Sequence, residues 1–127
     1  MIISLKRGDY VNQVGKASEE LAVEFLLGHG HSILDRNFSC RYGEIDIISY
    51  DGAVVFSEVK MRSGHSYGGA SAAVTKTKQQ KILKTARLYL QQNPEQALLA
   101  CRFDVIAIEQ GRRGSTITWL KSAFIDS

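Results

Sequence analysis

The stretch GEIDIISYDGAVVFSEVK, Gly43 to Lys60, constrains the fold of this chain more than any other. Its halves EIDIISY and AVVFSEVK are rich in β-branched and aromatic residues and meet at Asp51-Gly52, a strong short hairpin signal, so two adjacent antiparallel strands are expected. Yet Glu44, Asp46, Glu58 and Lys60 all lie inside them. Charge in an otherwise apolar hairpin needs a partner or a function. Glu58 and Lys60 are two apart in a strand, so both side chains leave the sheet face that also carries Val54 and Phe56. A carboxylate and an ammonium so placed can hold a metal ion and position a water or phosphate beside it.

Whether Asp46 joins them depends on the loop. A two-residue Asp51-Gly52 turn pairs residues whose numbers sum to 103, which puts Asp46 on the face of Ser57 and breaks the triad. A loop with one more residue, with Gly52 in a left-handed bulge, makes the sum 104 and sets Asp46 opposite Glu58. The odd-numbered loop is expected.

With 127 residues, the chain has the length of one domain, 1–127, with a core spanning about 13–123. Its 44% apolar and 23% charged residues are ordinary for a soluble globular protein. The apolar runs fall far short of the roughly 18 residues that span a bilayer, and MIISLKRGDY lacks the layout of a secretory signal. A cytoplasmic location without a membrane partner is expected, with Cys40 and Cys101 reduced. His29, His31 and Cys40 lack the paired spacing of a zinc site.

The net charge of +3 conceals an asymmetry. Residues 1–58 carry five Lys/Arg against nine Asp/Glu, residues 59–94 carry seven Lys/Arg and no acid, and the remainder carries four of each. An acidic half set against a basic segment suits a cation-binding centre beside a polyanion track, although a lysine-rich helix is more often just solvated.

Around the hairpin, QVGKASEELAVEFLLG over residues 13–28 has the spacing of an amphipathic helix stopped by the following glycines. HSILDRNFSC reads as an irregular extended segment that forms an edge strand, and RSGHSYGGASAA as a loop. The helical period returns from Thr75 to Gln92 and ends at Asn93-Pro94. FDVIAI reads as a strand covered on both faces, and STITWLKSAF as a last strand. The order helix, three strands, helix, two strands indicates an α/β or α+β sandwich with a mixed central sheet.

Two further polar side chains fall on inward arcs. Glu19 sits at the margin of the first helix's apolar face beside Ala22 and Leu26, and Gln79 shares the second helix's face with Ile82, Leu83 and Ala86. Each position suits a site residue and equally a satisfied, partly buried side chain. Glu44 and Asp104 are assigned to structure, Asp104 as a partner of Arg102. Arg36 and Arg41 can contact substrate, although such arginines are more often solvated.

GKASEELAVEFLLGHG, RNFSCRYGEIDIISYDGAVVFSEVKMRS, GHSYGGASAAVTKTKQQKI and CRFDVIAI together resemble the YraN-type family of small bacterial proteins. That family is similar in turn to the PD-(D/E)xK nuclease superfamily and its archaeal Holliday-junction resolvases. The resemblance runs from about Gly15 through the strand after Arg102. It implies an α/β restriction-endonuclease-like fold, with a mixed sheet of about five strands flanked by helices.

The resemblance also assigns roles. Glu19, Asp46, Glu58 and Lys60 fall on the superfamily's catalytic positions. Glu19, Asp46, Glu58 and the Val59 carbonyl are the expected ligands of Mg²⁺ or Mn²⁺, and Gln79 is added to the catalytic set. Arg62, Lys76, Lys78 and Lys81, with the GHSYGG backbone, are expected to track phosphates. Ile45 replaces the motif's proline, where only an extended backbone is needed, and Ser18 replaces the glycine that usually precedes the helical glutamate. The implied activity is metal-dependent phosphodiester hydrolysis on DNA, branched or single-stranded, with a homodimer as a natural assembly. The alternative is a non-catalytic nucleic-acid-binding module on the same fold.

Overall fold

The computed structural model describes residues 2–4, 18–63, 74–111 and 114–125. In chain order the elements are β1 (Ile2–Ser4), α1 (Ser18–Gly28), β2 (Ser32–Cys40), β3 (Gly43–Tyr50), β4 (Val54–Ser63), α2 (Lys76–Gln92), α3 (Pro94–Ala97), β5 (Cys101–Gly111) and β6 (Gly114–Phe124). Residues 13–17 of the predicted first helix, the GHSYGG loop and the Arg62 side chain lie outside the described residues.

The strands form one six-stranded sheet in the order β1-β6-β5-β4-β3-β2. Only the central β4–β5 pair is parallel, so the sheet is mixed as expected. It exceeds the expected five strands by β1, whose three residues are too short to carry a strand signal in sequence. HSILDRNFSC is the expected edge strand, irregular at one point. It forms a nine-residue edge strand paired to β3, with a register shift between Ile33 and Asp35.

Each face of the sheet is covered by a helix. On the α2 side, Ile45, Ile48, Val54, Phe56, Phe103 and Val105 pack with Ile82, Leu83, Ala86 and Tyr89. On the α1 side, Ile47, Ile106, Ile108, Ile117 and Trp119 pack with Leu21, Ala22, Phe25 and Leu26. Successive residues of β5 feed opposite cores, which is why Phe103 to Ile108 is an almost unbroken apolar run. This two-sided α/β layering is the restriction-endonuclease-like architecture that the resemblance implies. Among the described residues no helix is long and apolar enough to cross a membrane.

α2 begins where the sequence indicates: the Thr75 hydroxyl accepts from the Lys78 N–H at 3.1 Å. At its far end, the Asn93 side-chain amide donates to the Tyr89 carbonyl at 2.8 Å, and Pro94 opens the short α3. The β3–β4 hairpin has the odd-numbered loop. Tyr50 pairs with Val54 and Ile47 with Ser57, so partner numbers sum to 104 and Asp51, Gly52 and Ala53 form the loop. Gly52 sits at φ +110°, a conformation that side chains with a Cβ rarely adopt, and the Ala53 N–H donates to the Asp51 carboxylate at 3.1 Å.

A buried polar cluster fastens this loop to the parallel strands. Arg102 bridges Asp51 at 3.0 Å and Asp104 at 3.0 Å. Asp104, fully buried, also accepts from Trp119 Nε1 at 2.9 Å and from the Ser122 N–H at 3.0 Å. His31 Nδ1 lies 2.9 Å from Ser49 Oγ, and Nε2 lies 3.4 Å from Asp51. Burial holds the His31 pKa below its ordinary value, against the pull of Asp51, so the ring is neutral near pH 7. Asp104 therefore pairs with Arg102 as expected, and His31 ties β2 to the hairpin.

Candidate active site

The register of the hairpin decides the geometry of the acidic residues. With partner numbers summing to 104, Asp46 stands across from Glu58, on the face that carries Ile48, Val54 and Phe56. The regular ladder ends at Ile47 and Ser57, and the Asp46 side chain takes over the next backbone donor: Val59 N–H donates to Asp46 Oδ2 at 2.8 Å. The carboxylate is thereby anchored between the two strands, a placement that follows from a short acid at the point where the strands part.

Glu58 is buried, at 9% exposure, at the next position of β4, and Lys60 follows two residues on with its side chain half-buried. Lys78, in the first turn of α2, reaches over the sheet to Glu58 Oε2 at 3.0 Å. The Glu58 hydrogen bond, with the charges of Glu58, Asp46 and Glu44, raises the Lys78 pKa, so it is an ammonium throughout the physiological range. Glu44 itself is exposed.

The electrostatics of the pair are unusual. Burial, opposed by the Val59 hydrogen bond, pushes the Asp46 pKa from its ordinary 3.8 up to about 7, with the charges of Glu58 and Glu19 adding to the rise. A hydrogen bond to Glu58, which protonated Asp46 can donate, adds to the same effect. Up to neutral pH the two crowded carboxyl groups thus keep a proton between them.

Glu19 opens α1 on the neighbouring edge. Its Oε1 accepts from the Asn37 side-chain amide at 2.8 Å and lies 3.6 Å from Arg36, which is also bonded to Glu20. Asn37 reaches it from a left-handed backbone conformation, φ +54°, that Asn tolerates better than most residues. Among the described residues no three His, Cys, Asp or Glu side chains form a group arranged to hold a metal ion. The centre consists of the Asp46–Glu58 pair, with Glu19 near enough to act on Asp46 through its charge.

Of the remaining predicted residues, Gln79 is half-buried and its Nε2 donates to the Val74 carbonyl at 2.9 Å, tying down the approach to α2. Lys76 and Lys81 are exposed on α2, with Lys78 between them. Sequence reasoning did not find Asn37 and Arg36 as the holders of Glu19, nor Lys78 as the counter-charge of Glu58. An Asn in the middle of a strand pattern is the one signal for the former, since it marks a position where the backbone can turn left-handed.

Residues 18–108 match the model of the uncharacterised protein family UPF0102. The chain belongs to that family. The matched UPF0102 segment starts with α1 and ends within β5, so it contains Glu19, Asp46, Glu58, Lys60 and all of α2. Three UPF0102 proteins are similar over nearly their whole length. They are 42% identical over 111 residues in Stutzerimonas stutzeri (87% of this chain, 92% of that protein), 43% over 114 in Saccharophagus degradans (89% and 93%) and 43% over 115 in Ectopseudomonas mendocina (89% and 95%).

The Asp46–Glu58 pair fits a hard divalent cation. Mg²⁺ and Mn²⁺ need only one or two protein carboxylates, the rest of their shell being water and substrate oxygen. Burial beside Glu58 lifts the Asp46 pKa to about 7, and a bound cation would offset the cost of ionising that carboxyl there.

Proposed function

We propose that this UPF0102 chain is a metal-dependent nuclease that hydrolyses phosphodiester bonds in DNA, branched or single-stranded. The single observation that carries the reading is the meeting of Asp46 and Glu58 on one face of the sheet, with the Asp46 pKa at about 7 and Lys60 next along the strand. Asp46 and Glu58 would hold Mg²⁺ or Mn²⁺, with the Val59 carbonyl beside them and Glu19 acting through water. The cation supplies Lewis-acid polarisation of the phosphate and a lowered water pKa.

The chain's own groups supply the rest. Lys60 orients the attacking water and stabilises charge developing on the phosphoryl oxygens. Lys78, half-exposed beside Glu58, can exchange its carboxylate for a substrate phosphate. Lys76, Lys81 and Arg62 would contact flanking phosphates, giving affinity that falls steeply with salt and carries little sequence preference. Gln79 positions the first turn of α2. The reaction belongs in the cytoplasm, and a two-fold dimer would present two such centres to a symmetric junction.

A second reading, a nucleic-acid-binding module without turnover, is favoured by two contacts: Glu58 is ion-paired with Lys78, and Glu19 is engaged by Asn37. The two readings separate on incubating purified protein with labelled branched, single-stranded and duplex DNA in Mg²⁺ or Mn²⁺. Cleavage that disappears in Lys60→Ala while binding persists supports the nuclease. Intact substrates throughout, with salt-sensitive binding retained, leave the binding module.

A further inference from the structure

The turn between β2 and β3 packs against α2, so that a Cβ built on Gly43 would lie 3.5 Å from Lys81 Cβ and 3.6 Å from Thr85 Oγ1. This packing brings Arg41 and Tyr42 beside the C-terminal half of α2. A groove of about 620 Å³ opens there, lined by Arg41, Tyr42, Lys84, Arg87, Leu88 and Gln91. Three of these six side chains are cationic and none is acidic. Tyr42 is the pivot: Arg41 donates to its hydroxyl at 2.8 Å with the guanidinium carbon 4.9 Å from the ring centre, and Lys84 Nζ lies 5.7 Å from that centre.

The groove continues the cationic edge of the acidic centre. Lys78, Lys81, Lys84 and Arg87 recur every third residue, an inclined row that winds half a turn round the helix between its first and last members. The ridge starts at Lys78, 3.0 Å from Glu58, and ends at Arg87 in the groove. Nine residues of helix rise about 13.5 Å, so the centre and the groove are separated by a few nucleotides of chain.

We propose that this groove is a binding site for a single-stranded nucleic-acid segment flanking the bond to be cut, with a base against Tyr42 and Leu88 and its phosphates on Arg41, Lys84 and Arg87. The direction of the strand, from the acidic centre to the groove, rests on the nuclease reading. The groove itself does not. Cations alone would suit any polyanion, but an aromatic ring and a leucine inside a concave site call for an unpaired base, whose face a duplex hides. A volume of about 620 Å³ is in the range of small-ligand clefts and suits one or two nucleotides rather than the convex surface of a duplex. An acidic polypeptide would use the charges and leave the ring unused.

The test is fluorescence anisotropy in EDTA, so that nothing is cut, with a labelled thymidine strand of about 12 nucleotides and a blunt duplex of matching length. Wild type is expected to prefer the strand. Tyr42→Ala should weaken strand binding about fivefold or more while Tyr42→Phe changes it less than about twofold, since the ring and not the hydroxyl meets the base. Lys84→Gln with Arg87→Gln should reduce the slope of log affinity against log salt by about 0.7 for each phosphate that is no longer neutralised. All three side chains are at the surface or half-buried, so melting temperatures should stay near wild type.

Unchanged strand affinity in Tyr42→Ala, parallel losses for strand and duplex, or displacement of the strand by polyglutamate at matched charge would each overturn the proposal. Groove-dependent binding by a wild type that leaves every substrate intact upholds the groove and removes catalysis from Asp46 and Glu58. Cleavage by a protein whose strand affinity ignores Tyr42 does the reverse.

Discussion

Asp46 illustrates how one carboxylate can carry a cost that makes sense only with a ligand. Its pKa is about 7 in the folded chain against 3.8 ordinarily, so between those values the folded state holds a proton that the unfolded state has released. The stability it contributes is complete below pH about 4 and is lost as pH rises through 7. In EDTA, Asp46→Asn should therefore melt higher than wild type at pH 8, with the difference shrinking toward pH 4, as followed by circular dichroism. Mg²⁺ should raise the wild-type melting temperature at pH 8 and leave the variant unmoved, because only a cation-binding folded state gains from mass action. At Glu58, Lys78 occupies the place of a cation. Replacing it as Lys78→Gln should tighten Mn²⁺ binding by about two- to fivefold, the size of one partly exposed ion pair, read by titration calorimetry.

At the scale of elements, the three-residue loop is what aligns the site, because a one-residue slip of β3 against β4 would turn Asp46 away from Glu58. Gly52→Val should cost about 1–3 kcal/mol in urea denaturation, the strain of a β-branched residue at φ +110°, while the folded fraction keeps its metal affinity. The clamp of Arg102 on Asp51 and Asp104 is the other device that holds this loop. Arg102→Leu leaves the fully buried Asp104 without its cationic partner, and a loss of about 3–5 kcal/mol is expected, far above that of an exposed arginine.

Much of this layer was legible in sequence. β-branched runs around Asp51-Gly52 indicated the hairpin, and the need to bring Asp46 to Glu58 selected its register. Thr75 and Asn93-Pro94 marked the ends of α2 because capping chemistry is local. What was not legible depends on distant packing. Asn37 meets Glu19 across eighteen residues of sequence, and β1 exists only because β6 offers it an edge. Arg41 read as more often solvated, and Tyr42 carried no signal, because nothing local reveals that their turn packs on α2.

For the whole molecule, the mixed sheet joins the charge asymmetry to the two proposed sites. Its acidic first half supplies Asp46 and Glu58 from adjacent strands, and the acid-free segment that follows supplies the α2 ridge that covers them. Because the ridge runs from Glu58 to the Tyr42 groove, one helix can serve both as lid for the acidic pair and as track for a polyanion. The UPF0102 match spans both halves, so the proposed centre and the ridge belong to the region shared with the family.

The central claim, that Asp46 and Glu58 together take up a divalent cation, is tested most directly by calorimetric titration of Mn²⁺ into wild type and into Asp46→Asn with Glu58→Gln at pH 8. Saturable binding of one ion per chain to the wild type, absent from a double variant that melts at or above the wild-type temperature in EDTA, is the expected result. Equal heats from both proteins, or none from the folded wild type, would contradict it.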